Sequence, residues 1–271
     1  MTLIVSVISA DGIVLAGDSL SSLGRQINRS KVSEITCPKC EHTHVVQANF
    51  QSNVRKSTYS HTEKVFPFLK KYGIGVFGSG LIGNFSVNFL VRSFEDYVKE
   101  RIAKERMFIN GVSDLARELG VNQHKLLMAE IERHDQSLDD FPDNHIFVGF
   151  QVVGYDLKQP KIIEVLLGKE IKIKVFEDLA CYASGNTKVV EMIREHYKKE
   201  IGTEPLYQIF SLQEAIDYVE FLIRTTIDYQ RFSPEIPNVG GSIDIALVTP
   251  FDKFQWIRQK PLGQLLQGDT Q

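Results

Sequence analysis

The chain has 271 residues, of which 43% are hydrophobic, 10% aromatic and 24% charged, with a net charge of −3 and three cysteines. A chain of this length buries one substantial core or two small ones, and its charge balance argues against nucleic acid. It shows no basic amphipathic stretch for a membrane surface and no apolar run near the length of a spanning helix, while its odd cysteine count does not read as a disulfide framework.

The opening residues MTLIVSV lack the charged region and the small-residue cleavage site of a signal peptide, so a reduced, cytoplasmic setting is expected. Residues 3–8, LIVSVI, read as a strand rich in β-branched residues. Asp11-Gly12 favours a tight hairpin turn with positive φ, and 13–18, IVLAGD, form the return strand that brings Asp18 near Thr2. Residues 23–60 are polar, lack sustained periodicity and read as an insertion. Two short strands follow, KVFPF (64–68) and GIGVFG (73–78). After Gly78-Ser79-Gly80 comes a long helix, with Phe85, Phe89, Val91, Phe94 and Val98 spaced for one buried face. A second helix is predicted over 112–133, with Gly120 as a point of interruption. Strands are predicted at 145–155, 161–168, 171–176 and 179–183, the last running into a Ser184-Gly185-Asn186 turn. A helix follows at 187–200. Ser211 and Glu214 form a capping box that starts another helix, and strands at 242–248 and 254–259 close the chain before a polar tail, 263–271.

Strands, two helices, strands, two helices, strands: segregated blocks of this kind predict an α+β layered domain, not an alternating parallel sheet. The expected form is a four-layer αββα sandwich, two antiparallel sheets between helix pairs, as one domain over residues 1–262.

Removal of Met1 leaves Thr2 with a free α-amine beside its own hydroxyl. An α-amine has a pKa near ~8, so it takes the hydroxyl proton at neutral pH and makes one residue both nucleophile and base. The motifs around Thr2 resemble those of proteasome β-type subunits, within the N-terminal-nucleophile hydrolases. TLIVSVISADGIVLAGDSLSS resembles the family's opening hairpin, from the catalytic threonine to an aspartate sixteen residues on, here Asp18. EKVFPF resembles the strand that bears the family's active-site lysine, here Lys64. GIGVFGSG resembles the glycine-rich strand end, with Gly78 fourteen residues beyond Lys64. YASGNTKVVEMI resembles the later Ser-Gly turn before a helix, which supplies Ser184, and TTIDYQRFSPEIPNVGGSIDIALV resembles the closing helix, loop and strand. The resemblance covers nearly the whole chain outside 23–60 and the tail. The family's usual Arg-Asp pair before its Ser-Gly-Gly is absent, and in this the chain looks more like the divergent bacterial β-type relatives.

The resemblance implies a role for each residue. Thr2 attacks a peptide carbonyl. Lys64 favours the neutral amine and stabilises the alkoxide, and Asp18 partners the buried ammonium. The Gly78 amide donates to the oxyanion. Ser184 orients the amine, and Asp228 is the candidate to support Ser184. Substrate is expected to lie extended between Ser21-Ser22 and Gly78–Gly80, adding to the sheet, over a pocket floor at Val76. Singly, each residue also has a plainer reading: a hairpin end for Asp18 and Ser22, a solvated strand lysine for Lys64, a helix-entry turn for Gly78–Gly80, an N-cap cluster for Ser184–Asn186. Joint order and spacing favour the catalytic one.

The insertion carries Cys37, Cys40, His42 and His44. A C-x₂-C turn presents two thiolates to a structural zinc ion, but a second C-x₂-C is missing, so a decayed ribbon and a redox pair stand beside zinc. No cofactor is required for the catalysis. The expected activity is threonine-type peptidase in a self-compartmentalised assembly. Its expected partners are peptide or unfolded protein substrates, a homo-oligomeric ring or related array, and an ATPase unfoldase. An amidase of the same nucleophile class and a non-catalytic ring scaffold are the alternatives.

Overall fold

The computed structural model describes residues 2–36, 43–59, 62–133, 138 and 141–260, the side chains of 22–59 excepted. The chain divides into two compact units, Met1–Ser21 with Ser60–Gln271, and Ser22–Tyr59. Apart from Ser21, the smaller unit holds two long strands, β3 (Ser21–Thr36) and β4 (Thr43–Tyr59), paired in a sheet of their own. The insertion is thus strand-built where its polarity showed no period.

The larger unit is α+β, with antiparallel sheets and, among the described residues, four α-helices. One five-stranded sheet runs in the order β12 (Cys181–Gly185), β1 (Leu3–Ile8), β2 (Ile13–Asp18), β13 (Ile243–Thr249), β14 (Lys253–Arg258). The other runs β11 (Ile171–Phe176), β10 (Gln159–Leu167), β9 (Val148–Asp156), β6 (Tyr72–Gly78), β5 (Val65–Phe68). Two short strands, β7 (Leu81–Ile82) and β8 (Phe85–Ser86), lead into α1 (Val87–Ala103), and α2 (Val112–Arg133) follows. Helices α3 (Lys188–Glu200) and α4 (Leu212–Arg231) lie between β12 and β13 in sequence.

Strand β1 explains the apolar runs. Alternate residues of a strand face opposite sides. Leu3, Val5 and Val7 pack in one apolar cluster with Val190 of α3 and Val219, Leu222 and Ile223 of α4. Ile4 and Ile8 pack in another, with Ile13 and Leu15 of β2 and with Val153 and Ile162 of the second sheet. All six residues of β1 are buried, so both faces of the strand are apolar except at Ser6, whose hydroxyl is hydrogen-bonded. A third cluster joins Ile74, Phe150 and Val165 of the second sheet to Val91 and Phe94 of α1 and Leu115 and Leu119 of α2.

Several expectations need correction. The β1–β2 turn is closed by a Ser9 N–H to Gly12 carbonyl bond of 2.9 Å, and neither Asp11 nor Gly12 takes positive φ. The buried stripe of α1 is Val87, Leu90, Val91, Phe94 and Val98. Phe85 and Phe89 are exposed instead and stack on each other, with ring centroids 5.6 Å apart. They fall outside the buried stripe because the i, i+3, i+4, i+7 spacing that meets the sheet starts at Val87. Gly120 does not interrupt α2. It lies where the helix crosses β10, and a Cβ there would sit 3.0 Å from Val165 Cγ1. Ser184 and Gly185 belong to strand β12 rather than to a turn after it.

The capping box at α4 is present: Ser211 Oγ accepts from Glu214 N–H, and the Glu214 carboxylate accepts from Ser211 N–H at 2.7 Å. Ser211→Ala is expected to cost about 1 kcal/mol, read as a lower urea midpoint with an unchanged m-value.

Candidate active site

Four strand ends meet at Thr2. Residue 2 is 6% exposed and immediately precedes β1. Gly185 of β12 pairs with Leu3, Ser184 pairs with Ile4, and the Asn186 N–H donates to the Thr2 carbonyl at 2.8 Å. Gly185 adopts φ +92, and a Cβ on it would stand 1.9 Å from the Thr2 oxygen and 3.4 Å from Phe77 Cβ. Only glycine permits this approach. It brings Thr2 beside the end of β6, where Gly78 also holds a left-handed conformation at φ +91.

Asp18 ends β2 and is fully buried. Its Oδ1 accepts from the Leu3 N–H at 3.0 Å and from Lys64 Nζ at 2.9 Å. Its Oδ2 accepts from the N–H groups of Leu20 (3.1 Å) and Gly240 (2.9 Å). The carboxylate therefore ties together the residue after Thr2, the lysine before β5, and the loop before β13. Gly17 lets β2 pack closely here, since a Cβ on it would stand 2.8 Å from Ile4 Cδ1 and 3.1 Å from Val65 Cγ2. Lys64 Nζ also donates to the Leu20 carbonyl at 2.5 Å. Burial holds the Lys64 ammonium below its ordinary pKa; Asp18 opposes that shift, and a second ammonium, Lys260, adds to it.

Lys260 belongs to a parallel buried pair, its Nζ 2.5 Å from Asp244 Oδ2. The same ammonium donates to the Thr62 carbonyl at 2.8 Å, and the Thr62 N–H donates to Ser19 O at 3.0 Å. Thr62 is thus held at both its backbone groups two residues before Lys64.

Ser184 is buried and carries two polar contacts from the facing sheet. Gln151 Nε2 donates to Ser184 Oγ at 2.6 Å, and Ser184 Oγ donates to Glu164 Oε1 at 2.6 Å. Asp228, expected in that supporting role, does not take it: it is exposed and lines a groove of about 340 Å³ with Arg224, Arg258 and Lys260. Helix α4 packs on the opposite face of the first sheet from Ser184, so its polar residues do not reach the serine. Gln151 and Glu164 escaped the sequence reading. Their signal was a polar residue inside an otherwise apolar strand, FVGFQVVG and KIIEVLLG.

Among the expected substrate-binding residues, Ser21 and Gly80 lie close, with Ser21 Oγ 3.8 Å from a Cβ position on Gly80. Val76 is 7% exposed and packs with the α1–α2 side of its sheet, and its N–H donates to the Lys64 carbonyl at 2.8 Å. The side chain of Ser22 lies outside the described residues, as do Cys37, Cys40 and His42 and the side chain of His44. Among the described residues no group of three or more His, Cys, Asp or Glu is placed to hold a metal ion, and no helix is long and apolar enough to cross a membrane. Cys181 is buried, and burial pushes its thiol up to about 12, the behaviour of a small core residue.

A scan of the chain against protein-family models finds no match, and a search of curated proteins finds none.

Proposed function

We propose that the chain is a threonine endopeptidase in which Thr2, made N-terminal by removal of Met1, is the nucleophile. The single observation that carries this reading is the Asp18 carboxylate, buried and bonded at once to Lys64 Nζ (2.9 Å) and to the N–H that follows Thr2 (3.0 Å). A buried lysine–aspartate pair is costly for stability alone. Its place against a hydroxyl-bearing residue at a strand end is what the chemistry needs.

In the proposed reaction Thr2 Oγ attacks the peptide carbonyl while its proton passes to the α-amine. Lys64 stabilises the alkoxide as it forms, and the Gly78 amide donates to the tetrahedral oxyanion. The α-ammonium then gives its proton to the leaving amine, and an ester links the acyl group to Thr2. Water, deprotonated by the same amine, hydrolyses that ester and restores the enzyme. The reaction needs no cofactor. We read the fold as a four-layer αββα sandwich, which the three separate apolar clusters support. The resemblance of the sequence adds a homo-oligomeric, self-compartmentalised assembly acting on peptides or unfolded protein, with an ATPase unfoldase as its partner.

The test is intact mass after incubation with a peptide epoxyketone, which needs the hydroxyl and the free amine of one residue. Wild type is expected to gain one inhibitor mass per chain, and Thr2→Ala none. No adduct on a chain that has lost Met1 would favour the non-catalytic scaffold. Turnover of small amides but not of peptides would favour the amidase.

A further inference from the structure

A hydrogen-bonded chain crosses the space between the two sheets. Ser6 Oγ donates to Gln151 Oε1 at 2.7 Å, Gln151 Nε2 donates to Ser184 Oγ, and Ser184 Oγ donates to Glu164 Oε1. At the far end Lys174 Nζ, on a half-exposed side chain, donates to Glu164 Oε2 at 3.0 Å. Strand register places these groups side by side, Gln151 opposite Glu164 and Glu164 opposite Lys174. Their neighbours on the same face, Ile162 and Val153, are core residues. A carboxylate set in such a face is costly unless it is paired and hydrogen-bonded, as Glu164 is by Lys174 and Ser184.

The direction of every bond in this chain follows from Glu164. A carboxylate only accepts, and a serine hydroxyl has one proton to give. Ser184 therefore spends its proton on Glu164. Gln151 must then turn its amino group to Ser184 and its oxygen to Ser6, which in turn must donate. What remains to Ser184 Oγ is the capacity to accept.

That matters at residue 2. Asn186 holds the Thr2 carbonyl, and Ser184, two residues earlier and within β12, is the diagonal neighbour of Thr2 on the same sheet face. An amine acting as base must keep its lone pair for the Thr2 hydroxyl. A serine that only accepts takes an N–H from the amine and leaves the lone pair clear. A serine free to donate would occupy it.

The geometry points to Glu164 as a positioning residue for the reaction, fixing Ser184 as an acceptor toward the Thr2 amine, with Gln151 and Lys174 holding the arrangement. This rests on the reading of Thr2 as nucleophile.

The test combines epoxyketone labelling with steady-state peptide hydrolysis in a double-mutant cycle. Wild type must first label at Thr2; absence of label overturns the nucleophile reading and this one together. With labelling present, Glu164→Gln is expected to lower kcat by about 10- to 100-fold, the size of coupling within one hydrogen-bonded network, with KM within about twofold. In a Ser184→Ala background the same substitution is expected to change kcat by less than about twofold, since its route of action is gone. An equal loss in both backgrounds, or a loss carried by KM, overturns the role of Glu164 while leaving Thr2 in place. Should Glu164→Gln fail to fold, Lys174→Met changes only the half-exposed partner. It is expected to lower kcat about two- to fivefold in wild type and not in Ser184→Ala, and equal effects overturn the proposal.

Discussion

Asp18→Ala is expected to lower the unfolding free energy by about 3–5 kcal/mol and to cut peptide turnover steeply, whereas Lys64→Met cuts turnover as far at a cost of only about 1–3 kcal/mol. The asymmetry follows from the partners. Removing Asp18 leaves the Lys64 ammonium, 4% exposed, with a backbone carbonyl as its remaining partner, and strands the N–H groups of Leu3, Leu20 and Gly240. Removing Lys64 leaves the carboxylate with those three donors still in place. Urea denaturation of the two variants measures the difference, and the loss of turnover in each is expected to reach about 10²- to 10³-fold. Equal destabilisation would mean that the backbone donors do not hold the charge.

The same pair has a pH signature. Burial sets the Lys64 pKa below the ordinary 10.5, so the ammonium is lost as pH rises through that lowered value. Turnover is expected to fall on an alkaline limb below pH 10.5. Stability runs the other way: between the folded and unfolded pKa values the unfolded chain binds more protons, so the contribution of this group to stability rises with pH. Lys260 shares in the lowering. Replacing the neighbouring pair as a unit, Lys260→Met with Asp244→Leu, is expected to move the alkaline limb of kcat to higher pH. An unmoved limb would separate the two ammonium groups.

Gly185→Ala is the second large effect expected. The new Cβ would meet the Thr2 carbonyl at 1.9 Å, so β12 must leave β1 where Asn186 holds that carbonyl. Backbone strain at φ +92 adds to the clash. We expect a loss of about 2–4 kcal/mol and of at least about 100-fold in kcat, since the proposed nucleophile moves with its strand. Gly202→Ala is the control. That residue also takes positive φ, +79, but nothing lies within 4 Å of its Cβ position. It is expected to cost about 1 kcal/mol of strain and no turnover. Equal effects at the two glycines would mean that strain, not the approach to Thr2, governs residue 185.

The parts of the fold read correctly in advance are those whose cause is local. LIVSVI and IVLAGD form strands over those residues because their composition and their bounding turn permit little else. The capping box at Ser211 starts α4 where the spacing of serine and glutamate places it. Two readings that depend on what packs above a residue differ in the structure. Phe85 and Phe89 are apolar and sit near a helical face, yet the stripe that meets the sheet begins at Val87 and leaves them outside. Gly120 is a weak helix former, yet α2 runs through it because β10 packs against the gap.

The candidate site divides along the same line. Thr2, Asp18 and Lys64 stand close to strand ends whose order is written in the chain, and a hairpin suffices to bring the first two together. The support of Ser184 comes from Glu164, twenty residues earlier on a strand of the other sheet, and Gly240 reaches Asp18 across a separation of 222 residues. Sequence by itself determined the strands of the opening hairpin and the Ser211 helix cap, because period and turn chemistry act over a few residues, while Asp18 and Lys64 were legible together only through the motifs' resemblance to a known family. Which carboxylate faces Ser184, and which backbone donors enclose Asp18, was decided only by how two sheets buried their apolar faces against each other, since that packing alone sets which distant residues come within hydrogen-bond reach.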